Sequence, residues 1–136
     1  MRKLIVDRAL RDLADASAWH TRISQVTAQV QDSLHDRAAI ILPRSEHSLI
    51  HGELGPDHVA LDRHGHPVIL DIEGLIYFDI GWEHVFLHLR FGQNYHFLHH
   101  PGLDHDRLKL YRFAMHLSLV AGPSGCSTAT TRTARS

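Results

Sequence analysis

A mainly helical α+β fold is what the sequence predicts. Apolar residues recur every three or four positions near both ends of the chain, short β-like runs fill the middle, and two of those runs flank a turn-rich connector.

Leu4, Ile5, Ala9, Leu10 and Leu13 stand at helical spacing, and Trp19, Ile23, Val26, Val30 and Leu34 repeat the pattern, so two helices are expected to open the chain with their stripes turned to a core. Ser17 is the expected N-cap of the second. After Pro43 the pattern shortens to β-like runs at 48–51, 58–61 and 67–72. The last two flank Asp62-Arg63-His64-Gly65-His66, where Gly65 is free to take positive φ, and read as a central hairpin. Helix returns at 82–90 and again after Asp104, an N-cap, as far as Val120, with Leu108, Tyr111, Met115 and Leu119 as the expected buried face. Residues 124–136 turn abruptly to Ser, Thr, Arg, Ala and Gly without a large apolar anchor, which predicts a disordered tail behind a folded unit spanning 1–123.

With 136 residues the chain is the size of one domain, and a domain of that size buries roughly 68% of the surface its unfolded chain exposes. Fifteen acidic residues against 14 Lys and Arg give a formal charge of -1. No global field attracts nucleic acid or a membrane surface, so neither is an expected partner. A single cysteine, Cys126, allows neither an intramolecular disulfide nor a Cys-x-x-Cys site, and no apolar run approaches a membrane span. The expected compartment is the cytoplasm.

Chemistry concentrates in Leu49-Ile50-His51-Gly52-Glu53-Leu54-Gly55-Pro56-Asp57-His58-Val59 and, across the hairpin, Val68-Ile69-Leu70-Asp71-Ile72-Glu73-Gly74. A carboxylate follows a short strand, a second polar ligand stands five positions on, and another carboxylate ends the hairpin 18 residues after the first. Phosphoryl transfer to a hydroxyl needs such a set: one carboxylate to orient or deprotonate the nucleophile, and ligands that hold Mg²⁺ against the phosphates of ATP.

These residues resemble the aminoglycoside phosphotransferase family, whose catalytic loop runs His-Gly-Asp-Leu-His-Pro-Gly-Asn and whose metal motif is Asp-Phe-Glu or close to it. Phe78-Asp79-Ile80-Gly81-Trp82-Glu83 resembles the acidic, Trp-containing segment that follows in that family. The likeness covers residues 48–90 and implies the C-terminal lobe of a protein-kinase-like fold, with the N-terminal lobe absent. It further implies an ATP-dependent phosphotransferase that passes the γ-phosphate to a hydroxyl of a small molecule such as an aminoglycoside, using Mg²⁺. Carried over by residue, Glu53 takes the catalytic position; Asp71, His58 and Glu73 take the metal positions; His51, Gly52 and Asp79 brace the loop. Gly52 and Gly74 are expected to permit close backbone approach.

Two of the carried-over catalytic and metal positions depart from the family. Glu53 replaces Asp, keeping the charge but moving the carboxylate by about a bond length. His58 replaces Asn, and a neutral imidazole suits Mn²⁺, Zn²⁺ or other transition metals better than the hard Mg²⁺ ion. Lys3 and Lys109 are the only lysines, and neither a strand lysine nor a Gly-rich phosphate-covering loop can be placed. The chain is therefore expected to be a truncated phosphotransferase.

Two other classes compete. A non-catalytic fragment or interaction module would use its exposed lobe surface to form a homodimer. A His-rich metal-binding protein would draw on the 14 histidines, above all His84 and His88 one turn apart and His96, His99 and His100 beyond them, although no His-Glu-x-x-His motif is present.

Overall fold

Two helices joined by a single residue begin the structure: α1 spans Arg2–Trp19 and α2 spans Thr21–Ala39. This computed structural model describes residues 2–122, and the expected disordered tail at 124–136 lies outside the described residues. His20, extended at φ -119° and ψ 107°, breaks the helical path between them and is the N-cap of α2. Ser17, the expected cap, lies inside α1, where its hydroxyl donates to the Ala14 carbonyl. The reason is that α1 runs six residues past Leu13, carried by the buried Ala16, so Trp19 ends the first helix exposed instead of opening the second stripe.

Ile5, Val6, Ala9, Leu13 and Ala16 are the buried face of α1, at the spacing that keeps one side of a helix inward. α2 buries only Leu34 and Ala38, with Ile23 and Val30 partly covered. Arg2 closes the C-terminal end of α2, its Nη1 donating to the Ala38 and Ile41 carbonyls at 3.2 and 2.7 Å, the first of which also accepts from Ile41 N–H at 3.3 Å.

The chain then runs without regular structure to β1 (Ser48–Ile50), passes through a loop and a short 3-10 turn at Pro56–His58, and makes the expected hairpin from β2 (Val59–Leu61) and β3 (Pro67–Ile69). Register pairs Val59 with Ile69 and Leu61 with Pro67. Asp62 organises the turn by accepting from the His64 and His66 backbone N–H groups, both at 2.8 Å, and these bonds, that of His66 foremost, hold its carboxyl below the usual carboxylate range. A fourth strand, β4 (Ile76–Phe78), pairs antiparallel with β1, Leu49 opposite Tyr77. Nothing in the alternation of 76–78 announced it. The strands form two separate two-stranded sheets.

α3 (Ile80–Phe91) starts at Asp79, whose carboxylate accepts from Gly81 N–H at 2.9 Å. A 3-10 segment, Gly92–Phe97, leads on to α4 (His105–Ala121), capped as expected by Asp104. Leu110, Tyr111, Ala114, Met115 and Leu117 of α4 are buried with α1 and α2, while Leu119, expected inside, is 58% exposed because the inward stripe has rotated past it. The core is thus a helical packing of α1, α2 and α4 with α3 against α4, and the hairpin projects from it with all of β3 exposed. Among the described residues no helix is long and apolar enough to cross a membrane.

Candidate functional site

His51, Gly52, Glu53, Asp71, Gly74 and Trp82 line one cleft of about 250 Å³. Its floor is built from the loop after β1. His51, only 7% exposed, is held by a 3.0 Å contact between its Nε2 and the Leu70 carbonyl, 19 residues on. A carbonyl can only accept, so Nε2 carries the proton; Nδ1 is left as a buried acceptor with no hydrogen-bond partner. The bond ties the loop to the residue preceding Asp71 and so sets the distance between the two acidic positions.

Gly52 follows at φ +87°, a conformation that side-chain-bearing residues avoid, and its N–H donates to Glu83 Oε2 at 2.6 Å. Glu83 is 8% exposed on α3, one turn before the buried Leu87. No local pattern singles it out, since an acidic residue in the first turn of a helix is ordinary. Gly74, one of the two glycines expected at a close approach, meets the His51 carbonyl at 3.5 Å from an added Cβ, an ordinary contact. The tight position is Gly55: a Cβ there would stand 2.7 Å from both the Arg90 guanidinium and an Asp57 carboxylate oxygen. Arg90 and Asp57 form an ion pair that pins the loop's far end to α3, and the Arg90 hydrogen bond holds the Asp57 carboxyl below its ordinary range.

Glu53 is exposed at the cleft and contributes its backbone carbonyl to His58 Nδ1 at 3.0 Å. Donation from Nδ1 leaves Nε2 of a neutral imidazole with its lone pair free, 3.8 Å from both Asp57 Oδ2 and Asp71 Oδ2. The His51 and His58 rings stack at 5.2 Å with 26° between planes, which fixes the His58 ring over the buried one. Asp71 ends the hairpin at φ 56° and ψ 53°, the only non-glycine residue at positive φ among those described. Such a backbone costs about 1 kcal/mol or more and persists where the surroundings dictate it. Here Leu70 is clamped on both sides, its N–H donating to His58 O at 2.8 Å and its carbonyl held by His51.

Glu73 lies on the short 3-10 turn beyond Asp71, exposed and outside the cleft lining. Among the described residues no three His, Cys, Asp or Glu side chains gather as a ready metal cage. The donors near one another are the His58 Nε2 and the Asp57 and Asp71 carboxylates, each 3.8 Å from it, a sparse set that suits only a divalent ion bringing most of its ligands with it as water and phosphate oxygens.

Asp79, expected to brace the catalytic loop, makes its bonds elsewhere. At 1% exposure its carboxylate meets Tyr111 OH at 2.9 Å, Arg107 Nη1 at 3.0 Å and Arg44 Nη1 at 3.4 Å. Arg107 also donates to the Leu42 carbonyl at 2.5 Å and to Tyr111 OH at 3.2 Å, joining α4 to the segment before β1. Burial would lower the Arg107 guanidinium, but Tyr111, Asp79 and Asp104 together hold it above its ordinary value. Burial pushes the Tyr111 phenol up to about 12, so it remains a donor to Asp79. Asp79 is a core brace, and the bond to the loop comes from Glu83, four residues along the same helix.

The second histidine group gathers around Tyr95. His84 Nδ1 lies 3.0 Å from Tyr95 OH, and His88 and His99 set their ring planes at 62° and 86° to the tyrosine ring. Tyr95 is thus the shared neighbour of His84, His88 and His99, and among the described residues no three of these histidines gather as metal ligands. Comparison with protein-family models, curated proteins and solved structures finds no match.

Proposed function

We propose that the chain is the catalytic-loop and metal-binding part of a kinase-like small-molecule phosphotransferase, of the kind represented by the aminoglycoside phosphotransferases. The observation that carries the reading is the clamp on Leu70: His51 reaches across 19 residues to the carbonyl beside Asp71, so that Glu53 and Asp71 line one cleft. Two exposed acids at unrelated strand ends would need neither a buried histidine between them nor a left-handed Asp71.

Asp71 and the Nε2 lone pair of His58 would hold Mg²⁺ or Mn²⁺, the imidazole favouring the softer ion. Bound Mg·ATP supplies the γ-phosphoryl group and neutralises charge on its oxygens. Glu53, held by its backbone through His58 and one residue from the Gly52–Glu83 bond, would accept a hydrogen bond from an acceptor hydroxyl and take its proton as the hydroxyl oxygen bonds to the γ-phosphorus and the bond from that phosphorus to ADP breaks. Gly52 and Glu83 hold that carboxylate's backbone still, which is where positioning contributes most. The cytoplasm, where ATP and reduced thiols are found, is the proposed compartment.

Titration calorimetry with Mg·ATP and Mn·ATP tests this. Metal-dependent binding that disappears in Asp71→Ala supports the reading, and a folded chain that takes up neither nucleotide complex defeats it.

One observation favours a second reading, an interaction module that pairs with its own copy. Leu49, Ile76 and Tyr77 on the β1–β4 sheet are 54%, 52% and 71% exposed, and Leu61, Ile69 and Ile72 on and after the hairpin are 71%, 51% and 56% exposed. A sedimentation profile that shifts with concentration supports that reading, and a strictly monomeric one removes it.

A further inference from the structure

Gly52 and Trp82 together border three adjoining cavities. One is the cleft of Glu53 and Asp71. The second, of about 210 Å³, is walled by Ile5, Ile76, Phe78 and Trp82; the third, of about 90 Å³, lies between Glu53 and the apolar Phe86 and Met115. Because Gly52 carries no side chain, the wall between the first two is one backbone thick at that point.

Charge at the larger of these side cavities is one-sided. Arg8 borders both, 57% exposed in its side chain, and its one ion pair among the described residues is a 3.9 Å contact from Nε to Asp12, which leaves the terminal nitrogens available. No carboxylate lines the larger side cavity, and Glu53 is the only one at the smaller. An ammonium-rich molecule placed there would lose hydration against Ile5, Ile76 and Phe78 and meet Arg8 as a like charge. A compact apolar body would instead lie on Trp82, and a carboxylate on it would match the planar Arg8 guanidinium.

Resting on the phosphotransferase reading, we infer that the acceptor is a hydroxylated molecule with a compact apolar body, neutral or anionic, seated between α1, β4 and Trp82 with its hydroxyl directed past Gly52 to Glu53. It is not a polycation.

The test follows the Trp82 indole N–H in NMR spectra of the full chain, with Trp19→Phe used for assignment. The probes are 4-(hydroxymethyl)benzoate, benzyl alcohol and, as a polycation, kanamycin. The first two are expected to shift the Trp82 resonance saturably, the benzoate more tightly, and kanamycin is not. Arg8→Gln, at an exposed site, should remove the advantage of the benzoate while leaving benzyl alcohol unaffected. Ile76→Glu, at a half-exposed position, should weaken benzyl alcohol binding about tenfold. Kanamycin binding at Trp82 more tightly than benzyl alcohol, or no Trp82 response to either aromatic probe, overturns the inference. Mg·ATP titrated into the same sample separates the two claims. Nucleotide binding without a Trp82 response to the aromatic probes defeats the pocket alone; aromatic binding without nucleotide binding defeats the phosphotransferase reading and, with it, the acceptor role.

Discussion

Asp79 and Asp71 stand eight residues apart in the chain and in opposite surroundings. Asp79 is sealed in the helical half at 1% exposure, with Arg107, Tyr111 and Arg44 about it; the Asp71 side chain is 61% exposed at the end of the hairpin, with only the His58 imidazole near. One carboxylate is spent on holding α3, α4 and the segment before β1 together. The other is kept available, at a backbone conformation that a free loop would relax. A buried carboxylate whose partners are all satisfied has little left to offer a ligand, whereas an exposed one held in place by its neighbours does.

The contrast predicts a graded set of responses. Asp79→Ala should have the largest effect, because it takes from Arg107 its one buried carboxylate and leaves only the partly exposed Asp104 at 3.7 Å: a loss of ~3–5 kcal/mol in urea unfolding, as for a broken buried ion pair. If stability instead changed by less than ~1 kcal/mol, the helical half would not depend on this network.

Glu83→Gln joins the two halves in one measurement. It keeps the side-chain shape but weakens the bond to Gly52 N–H, for which a cost of ~2 kcal/mol is expected in the same unfolding assay. Nucleotide binding should fall with it, since the loop carrying Glu53 is released. Unchanged binding in a destabilised protein would mean that Glu83 serves the core alone.

Asp71→Gly should split function from stability. Glycine takes φ 56° without steric cost, while its extra freedom in the unfolded chain offsets that relief, so stability is expected to stay within ~1 kcal/mol of the parent. Metal-dependent nucleotide binding should nevertheless vanish. Calorimetry and thermal melting on one preparation decide it, and a binding-competent glycine variant would remove Asp71 from the site.

The smallest effect concerns pH. Burial, then the neighbouring His100 and His99, lowers the His84 pKa from its ordinary value. The unfolded chain therefore binds the proton more readily, so this contribution to stability is fully present above the unfolded value near 6.5. It is lost as pH falls from there through the folded value. The groups facing His84 are Tyr95, whose hydroxyl it meets, and His99 and His100 on the segment beyond. Melting temperatures across the acid range should fall less steeply for His84→Gln than for the parent chain.

Legibility in the sequence followed contact range. Ile5, Ala9 and Leu13 repeat along one helix face, Asp104 caps the helix that begins at the next residue, and Asp62 to His66 turn the hairpin; each is decided within a few residues, and each was readable. The spacing of His51, Glu53, His58 and Asp71 was also readable as a chemical pattern. Where a local signal was followed too literally, as at Ser17 and Leu119, the length of α1 and the rotation of α4 against its neighbours overrode it.

By itself, then, the sequence determined the helices and most of their inward residues, the hairpin, the Asp104 cap and the order of the acidic residues, because propensity and periodicity act between near neighbours. Only the tertiary structure decided that Glu83 and not Asp79 holds the loop, that His51 clamps Leu70, and that β4 pairs with β1. The Gly52–Glu83 bond joins residues 31 apart, and its formation depends on where α3 comes to rest against α4, a balance of packing over the whole core that no short stretch of residues encodes.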